Sequence, residues 1–441
     1  MFAKICLSFA LLVTMPAWSQ VSTTDGGVGL AMTDQMRTPP PVNGEAYSTA
    51  LGSETRSNYL RAGLVFTTGY SDNVLGYSVN PISDVDYSFY PTIAIDKATP
   101  RLHLRFNYSP GFTIYQHTSA RNQYNQNLDL SVLYLLSPHV TVTLRDNLLQ
   151  TSSALYSNPL SGGAISGPQQ PPLIAVIAPV GDQIGNSGNA ELTYQFSRQG
   201  MVGASGTFTN LHYLHPTEVP GLYDSKSAGG SAFYNHRLSK HNYIGATYRY
   251  TDTIAYPLNA QSEIQAHTFL FFYTIYPKPT FSLSFSGGPQ HYDISQSPLP
   301  TQGAWGPTLS ASLGWQGRHT NYSASYLRVV TGGGGLVGAF QSNIANGFAR
   351  WQFARTWSLG SAVSYANNKN VTPSAFLSTE GGYSVFGTVS FHHQFTERFQ
   401  VEFGYTRLHE NYSFIQVISN APNTDRGFVS FSYNFSKPLG G

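Results

Sequence analysis

From Tyr59 to the end of the chain, apolar and polar side chains alternate with a period of two. The clearest stretch is Tyr383 to Leu408. On its first arm Tyr383, Val385, Gly387, Val389, Phe391, His393 and Phe395 share one face, and Ser384, Phe386, Thr388, Ser390, His392 and Gln394 share the other. After Thr396-Glu397-Arg398, the residues Phe399, Val401, Phe403 and Tyr405 alternate with Gln400, Glu402, Gly404 and Thr406. This period marks a strand, because successive side chains leave opposite faces of a sheet. The arms exceed the usual strand of ~5–6 residues and approach the ~9–11 that a tilted strand needs to cross a bilayer. Aromatic residues stand at both ends of the apolar face. The pattern predicts a hairpin that spans a membrane, with most of the chain built from copies of it.

Such segments run from Tyr59–Tyr70, Val85–Asp96 and Arg101–Tyr115 through to Thr424–Phe435, about eighteen in all, an even number that suits a barrel with both ends in the periplasm. The connections between them alternate in length. Ser137-Pro138, Ser239-Lys240-His241, Pro277-Lys278-Pro279, Gly317-Arg318-His319 and Ala354-Arg355 are short. Longer loops rich in Gly, Pro, Asn and Ser lie between them. Outer-membrane barrels have this rhythm of tight periplasmic turns and longer external loops. The predicted fold class is all-β, a transmembrane antiparallel up-and-down β-barrel of about 18 strands (roughly 16–18). A soluble sandwich would show no such rhythm, and would not carry Leu102, Leu104, Phe106 and Tyr108 on an outward face.

Composition supports a lipid-facing sheet. Charged residues are 10% and aromatic residues 14% of 441 positions, against ~25% charged in soluble domains. The mean hydropathy of −0.19 is too low for a bundle of apolar helices, whereas alternating strands combine few charges with many small polar residues. A net charge of +2 and the lack of a long basic run exclude a nucleic-acid partner. Residues 1–19 are expected to be a signal peptide, with Lys4, an apolar run from Ile5 to Met15, and Ala17-Trp18-Ser19 at the cleavage site. Cys6, the single cysteine, would leave with it, and thiol chemistry with it. Residues 20–58 are expected to be a flexible periplasmic segment, 59–436 the barrel, and 437–441 a C-terminal tail.

A charge at the lipid midplane costs ~2–4 kcal/mol, so charged residues mark the lumen face. By this rule the candidate lumen-lining residues are Arg61, Arg105, Asp129, Arg145, Arg249, Arg350, Glu402 and Arg426, with Glu263 in the same phase. The arginines could confer ion selectivity or simply pair with acids. Asp146 and Arg407 fall in the lipid phase, which places them near the outer rim or at a bulge. The longest loop, Ser152 to Asn186, is the third external one. Leu173, Ile174, Val176 and Ile177 in it are the candidate constriction, if the loop folds into the pore and does not face solvent or act as a lid.

The remaining motifs point to no catalysis. His392 and His393 are adjacent and face opposite sides, so they cannot share a metal. His212 and His215 lack a third ligand nearby. Gly332–Gly335 is a loop tip without a following Gly-Lys-Ser/Thr. No GxSxG occurs, which leaves only a rim Ser–His pair as a route to hydrolysis. No enzyme activity, metal or cofactor is expected.

Between Gly63 and Ser153 the pieces Gly69-Tyr70-Ser71-Asp72-Asn73-Val74, Pro91-Thr92-Ile93 and Leu102-His103-Leu104-Arg105-Phe106-Asn107-Tyr108-Ser109 resemble a β-barrel porin family linked to exopolysaccharide gene clusters. The resemblance implies an outer-membrane barrel and carries over no catalytic residue; Asp72 and Asn73 are expected to shape the first external turn, with calcium binding as the alternative. The last strand, Arg426 to Phe435, resembles the C-terminal strand read by the barrel assembly machinery, and departs from it in the extra Ser436–Gly441. The expected function is a porin-like outer-membrane channel, passive or weakly selective for small hydrophilic solutes. The alternatives are an exopolysaccharide export conduit and a non-transporting adhesin or structural barrel. Expected partners are outer-membrane lipid and lipopolysaccharide, the assembly machinery, and polysaccharide or small solutes; the oligomeric state stays open.

Overall fold

A computed structural model describes residues 58–119, 122–153, 180–216, 223–257, 261–278, 280–296, 300–332, 338–372, 381–412 and 423–439. The strands are β1 (Tyr59–Ser71), β2 (Asp84–Ala98), β3 (Leu102–Tyr115), β4 (Gln123–Leu135), β5 (Val140–Ser153) and β6 (Val180–Gln195). They continue as β7 (Gly200–Tyr213), β8 (Ser225–Arg237), β9 (Asn242–Ala255), β10 (Ser262–Lys278), β11 (Phe281–Gln296) and β12 (Gln302–Gln316). The last are β13 (Thr320–Gly332), β14 (Ala339–Trp351), β15 (Trp357–Asn370), β16 (Gly381–Gln394), β17 (Phe399–Tyr412) and β18 (Asn423–Pro438). Each pairs antiparallel with its chain neighbours, and β1 pairs with β18 from Tyr59↔Pro438 to Ser71↔Arg426. The 18-stranded sheet is therefore a closed barrel.

The expected two-face division is present. Phe66, Phe89, Phe269, Phe271, Phe285, Phe391, Phe403 and Phe431 are exposed and lie in the outward phase. Opposite them, small hydroxyl residues tie neighbouring strands together across the inner face. Thr67 bonds Ser430 at 3.0 Å, Ser88 meets Thr113 at 2.8 Å, Thr274 meets Ser284 at 2.9 Å and Ser286 meets Ser310 at 2.8 Å. Such cross-strand pairs each contribute about 0.2–1 kcal/mol, and they leave the inner wall wettable. Around the periplasmic turns, Trp351, Phe353, Trp357, His393, Phe395 and Phe399 form a continuous chain of ring contacts, with centroids 4.1–6.4 Å apart. Amphipathic rings collect where a membrane meets water, so this chain marks the lower edge of the apolar belt.

Four details differ from expectation. Strand β6 begins at Val180, so the third external loop is shorter than Ser152–Asn186, and the polar Gly181–Asn186 stretch is paired with β5 and β7. Polar strand ends read as loop because they lack apolar alternation. Second, Lys437 and Pro438 are paired with Leu60 and Tyr59, so the barrel extends into the expected tail. Third, Glu263 is in phase with the exposed Phe269 and Phe271 and faces outward near the external end of β10. Near that end the inner face of β10 carries Ile264 and Ala266, so the charge rule is inverted there. Fourth, Asp146 sits midway along β5 in the outward phase, with unbroken pairing to Leu130 and Gly188. It is neither at the rim nor at a bulge; the irregularity in β5 lies between Thr151 and Ser153. Arg407, by contrast, is towards the external end of β17, beside Asp425 at 3.7 Å and Asn423 at 3.3 Å.

A carboxylate inside an apolar belt opposes insertion. Replacing Asp146 by Leu is expected to stabilise the barrel in lipid by about 1–2 kcal/mol, read as a shift in denaturant-induced unfolding in vesicles. A loss of stability would show that Asp146 has a partner in the assembled protein.

Candidate functional site: the lumen and its mouth

The barrel closes where its first and last strands meet, and the inner face at that seam carries a buried ion pair. Arg426 of β18 donates from Nε to Asp86 Oδ1 at 3.2 Å and from a terminal nitrogen to Oδ2 at 2.8 Å. Both side chains are buried. They belong to strands on either side of β1, so the pair must pass over that strand. Gly69 lies under it: a Cβ there would stand 2.9 Å from both Arg426 nitrogens and from Asp86 Oδ1. Just above, Asp72 and Asn73 pin the first external turn to β18. Asp72 Oδ1 accepts from the Asp425 backbone N–H at 2.8 Å. Asn73 accepts from the Tyr77 N–H at 3.0 Å and donates to the carbonyls of Tyr77 and Asn423 at 2.8 and 3.2 Å. The Gly69–Asn73 stretch thus shapes and locks the seam.

The external mouth is narrowed by the barrel's own wall. Pairing between β12 and β13 stops at Leu309↔Arg328, while β11 and β12 stay paired up to Ile294↔Gln302. Beyond Arg328 the end of β13 turns into the lumen. Gln290 on the inner face of β11 receives it as a neighbouring strand would. Its amide accepts from the Val330 N–H and donates to the Val330 carbonyl, both at 2.9 Å, and Thr308 Oγ1 holds the amide oxygen at 2.9 Å. Val330 and Ala339 then pack with Ile264, Ala266, Tyr292 and Ile294 in an apolar cluster on the inner wall. The return into β14 passes through Gly338, whose φ of 107° disfavours any side chain, and the Ala339 N–H donates to Thr372 Oγ1 at 2.9 Å. This tip explains why β10 turns Ile264 and Ala266 inward; Phe272, further along, lies over Gly245 of β9.

The sequence-derived lumen residues are spread around the ring. Arg61 lies low on β1, in phase with Val65 and Thr67, and Arg249 lies on β9 between Ser231 and Thr268. Arg145 on β5 faces Ser131 and Asn189, and Asp129 accepts from Asn147 at 2.6 Å. Arg105 is half-exposed and 3.4 Å from Asp96, and Arg426 is neutralised by Asp86. Arg350 and Glu402 share one stretch of inner wall near the periplasmic end, with Gly360 beside Arg350 in the sheet. Leu173, Ile174, Val176 and Ile177 lie outside the described residues. Sequence reading missed Gln290 and Val330, because a glutamine and a valine in alternating strands look like ordinary wall residues.

Near Glu402, Ser390 and His392 line up in a way that invites comparison with a nucleophile and its base. Ser390 Oγ is 3.1 Å and Glu402 Oε1 is 3.6 Å from the same nitrogen, His392 Nε2. A relay needs the acid on the other ring nitrogen, and Ser390 is fully buried. The trio is therefore a structural contact.

Comparison with protein families finds no family that matches the chain, and comparison with curated proteins finds no match. Among solved structures, the chain is similar to Pseudomonas aeruginosa OccK2 (OpdF), with a TM-score of 0.42 and 9% identity over 86% of this chain and 98% of that one. It is also similar to Pseudomonas aeruginosa OpdO, with a TM-score of 0.41 and 10% identity over 86% and 97%. A third likeness is to the FrpB iron transporter from Neisseria meningitidis, with a TM-score of 0.38 and 10% identity over 80% of this chain and 62% of that one.

Two variants probe these features. Asp86→Asn removes the carboxylate that faces the buried Arg426 and should lower stability by about 3–5 kcal/mol, measured by the temperature at which the folded band is lost on gels; a double Asp86→Leu/Arg426→Leu variant should recover much of it. Gln290→Leu removes the surrogate strand, and should free the β13 tip and raise single-channel conductance in lipid. An unchanged conductance would place the tip outside the permeation path.

Proposed function

We propose that the protein is an outer-membrane channel through which small hydrophilic solutes diffuse with weak selectivity. The observation that carries this reading is the pairing of an apolar exterior with a hydroxyl- and amide-lined interior in one closed 18-stranded sheet. Barrels of ~16–18 strands enclose an aqueous channel. Arg426 and Arg105 are matched by Asp86 and Asp96, which supports weak over strong anion selectivity. The proposed location is the outer membrane of a Gram-negative-type bacterium, reached by signal-peptide export and the barrel assembly machinery, with lipopolysaccharide and lipid against the belt.

A second reading is an export conduit for a secreted polysaccharide. Of the motifs that suggested it, the Gly69–Asn73 part of Gly69–Val74 serves the seam in this fold, so support for the conduit has to come from the lumen wall. Deleting the gene should then reduce surface polymer and leave small-solute uptake unchanged, whereas a general channel shows the reverse.

Purified, folded protein in planar bilayers is expected to give stepwise ohmic conductance, with a reversal potential near zero in a salt gradient. Absence of any conductance from demonstrably folded protein would reject an open pore and favour an adhesin-like or structural barrel.

A further inference from the structure

The two ends of the barrel differ in charge. The eight short connections between strands hold Arg101, Arg198, Lys240, Arg318, Arg355 and Arg398 against a single acid, Glu397. The longer connections at the other end hold Arg121 against Asp72, Glu218, Asp224 and Glu380. Turn geometry does not ask for this. A tight turn needs Gly, Pro, Asn, Asp or Ser to reach its backbone angles, and a cation beside them adds nothing to that. All six cations of the short turns are exposed.

The charge runs round the whole edge. Six of the eight turns carry one of these cations; of the other two, β10–β11 follows directly on Lys278 and β4–β5 carries His139. Two lysines on the strands beside the seam show which way the charge faces. Lys437 pairs with Leu60 and Lys97 with Leu104. Both therefore lie in the outward phase, with Phe431 and Phe89, and both are exposed. The chain of rings from Trp351 to Phe399 occupies the same edge. Arg355 stands between Phe353 and Trp357 in the chain, and the Arg398 guanidinium lies 6.0 Å from the centre of the Phe435 ring. Aromatic belts sit at headgroup level, so the cations do too.

The position of the ring selects its counterpart. The nearby Asp96 is taken by His103 and Arg105 at 3.2 and 3.4 Å. A soluble acidic protein would cover one flank, and would need the cations gathered there. A solute in the lumen would need them aimed at the pore axis, whereas Lys97 and Lys437 take the opposite phase. A lipid leaflet surrounds the barrel on every side at this depth. Its phosphates suit both the point charge of lysine and the fork of arginine. A zwitterionic headgroup offsets its phosphate with its own amine, so a ring of cations favours headgroups with net negative charge.

We propose that the short-turn edge of the barrel is a binding ring for the headgroups of anionic glycerophospholipids in the periplasmic leaflet. The test reads lipid contact and not current, so it stands or falls apart from the channel reading. The exported protein, freed of its signal segment and carrying Trp305→Phe, keeps Trp315, Trp351 and Trp357 as reporters, all at the short-turn ends of their strands. It is inserted into phosphatidylcholine vesicles, and its emission is quenched by a minor share of brominated phosphatidylglycerol or the same share of brominated phosphatidylcholine. At low salt the reporters are expected to meet phosphatidylglycerol about fivefold in excess of its share, the ratio that one cation beside an anionic headgroup supports. Arg318→Gln/Arg355→Gln/Arg398→Gln should bring that ratio close to one. Lys369→Gln, at the external end of β15, should leave it unchanged. Should the triple variant fail to insert, roughly 1 M salt on the unmodified protein is read in its place, because screening then acts within ~3 Å and the ratio must fall. Equal quenching by the two lipids overturns the ring. A preference that survives both the triple variant and salt overturns it as well, by placing the lipid contact elsewhere.

Discussion

A lipid bilayer offers no hydrogen bonds to a polypeptide, so every backbone amide at that depth must find its partner in the protein. For a chain of strands the only complete solution is closure, and closure puts one demand on one place: the last strand must find the first across almost the whole sequence. The β1–β18 seam meets that demand with backbone pairing along the full length of β1 and with a buried guanidinium–carboxylate pair laid across it. Side chains from β2 and β18 grip each other over β1, so three strands are fastened at once. Asp72 and Asn73 continue the fastening above the bilayer. A misregistered seam would separate Arg426 from Asp86, which makes the pair a register check as well as a clamp.

Once the sheet is closed, inside and outside follow from the pleat, but the inside is not uniform. One sector is apolar, because the β13 tip leaves the wall and packs on β9–β11. Another is rich in carboxamides. The remainder is laddered with serine and threonine. Among the described residues the first sector narrows the bore at the external mouth, and the second lines it with planar amides. Bending a wall strand inward leaves its backbone groups short of partners. Gln290, whose side chain carries one donor group and one acceptor just as a peptide unit does, compensates for the missing strand.

Much of this was readable from the order of residues. The two-residue period, the even number of segments and the alternating loop lengths are local properties, and a barrel follows from them because lipid permits few other sheets. The outward phase of Leu64, Phe66, Phe391 and Phe403 was likewise open to inspection. Asp146 shows the limit of that reasoning. Alternation already put this carboxylate in the lipid phase, but the rule then moved it to the rim, and only the pairing with Leu130 and Gly188 showed that it sits midway along β5. Glu263 shows the complementary failure, since the rule presumes a polar lumen and the adjoining Ile264 and Ala266 face an apolar cluster.

The chain by itself determined strand content, two-sidedness and the membrane solution, since each depends on neighbours within a few residues and on the solvent on either side. Tertiary structure alone decided which residues meet across the ring: Arg426 with Asp86 over Gly69, Gln290 with Val330, and Asn107 with Asp129 and Asn147. These contacts join positions up to hundreds of residues apart, and their existence depends on the register and closure of the sheet. No local pattern encodes a register, because a slip along the strand preserves alternation while exchanging every partner.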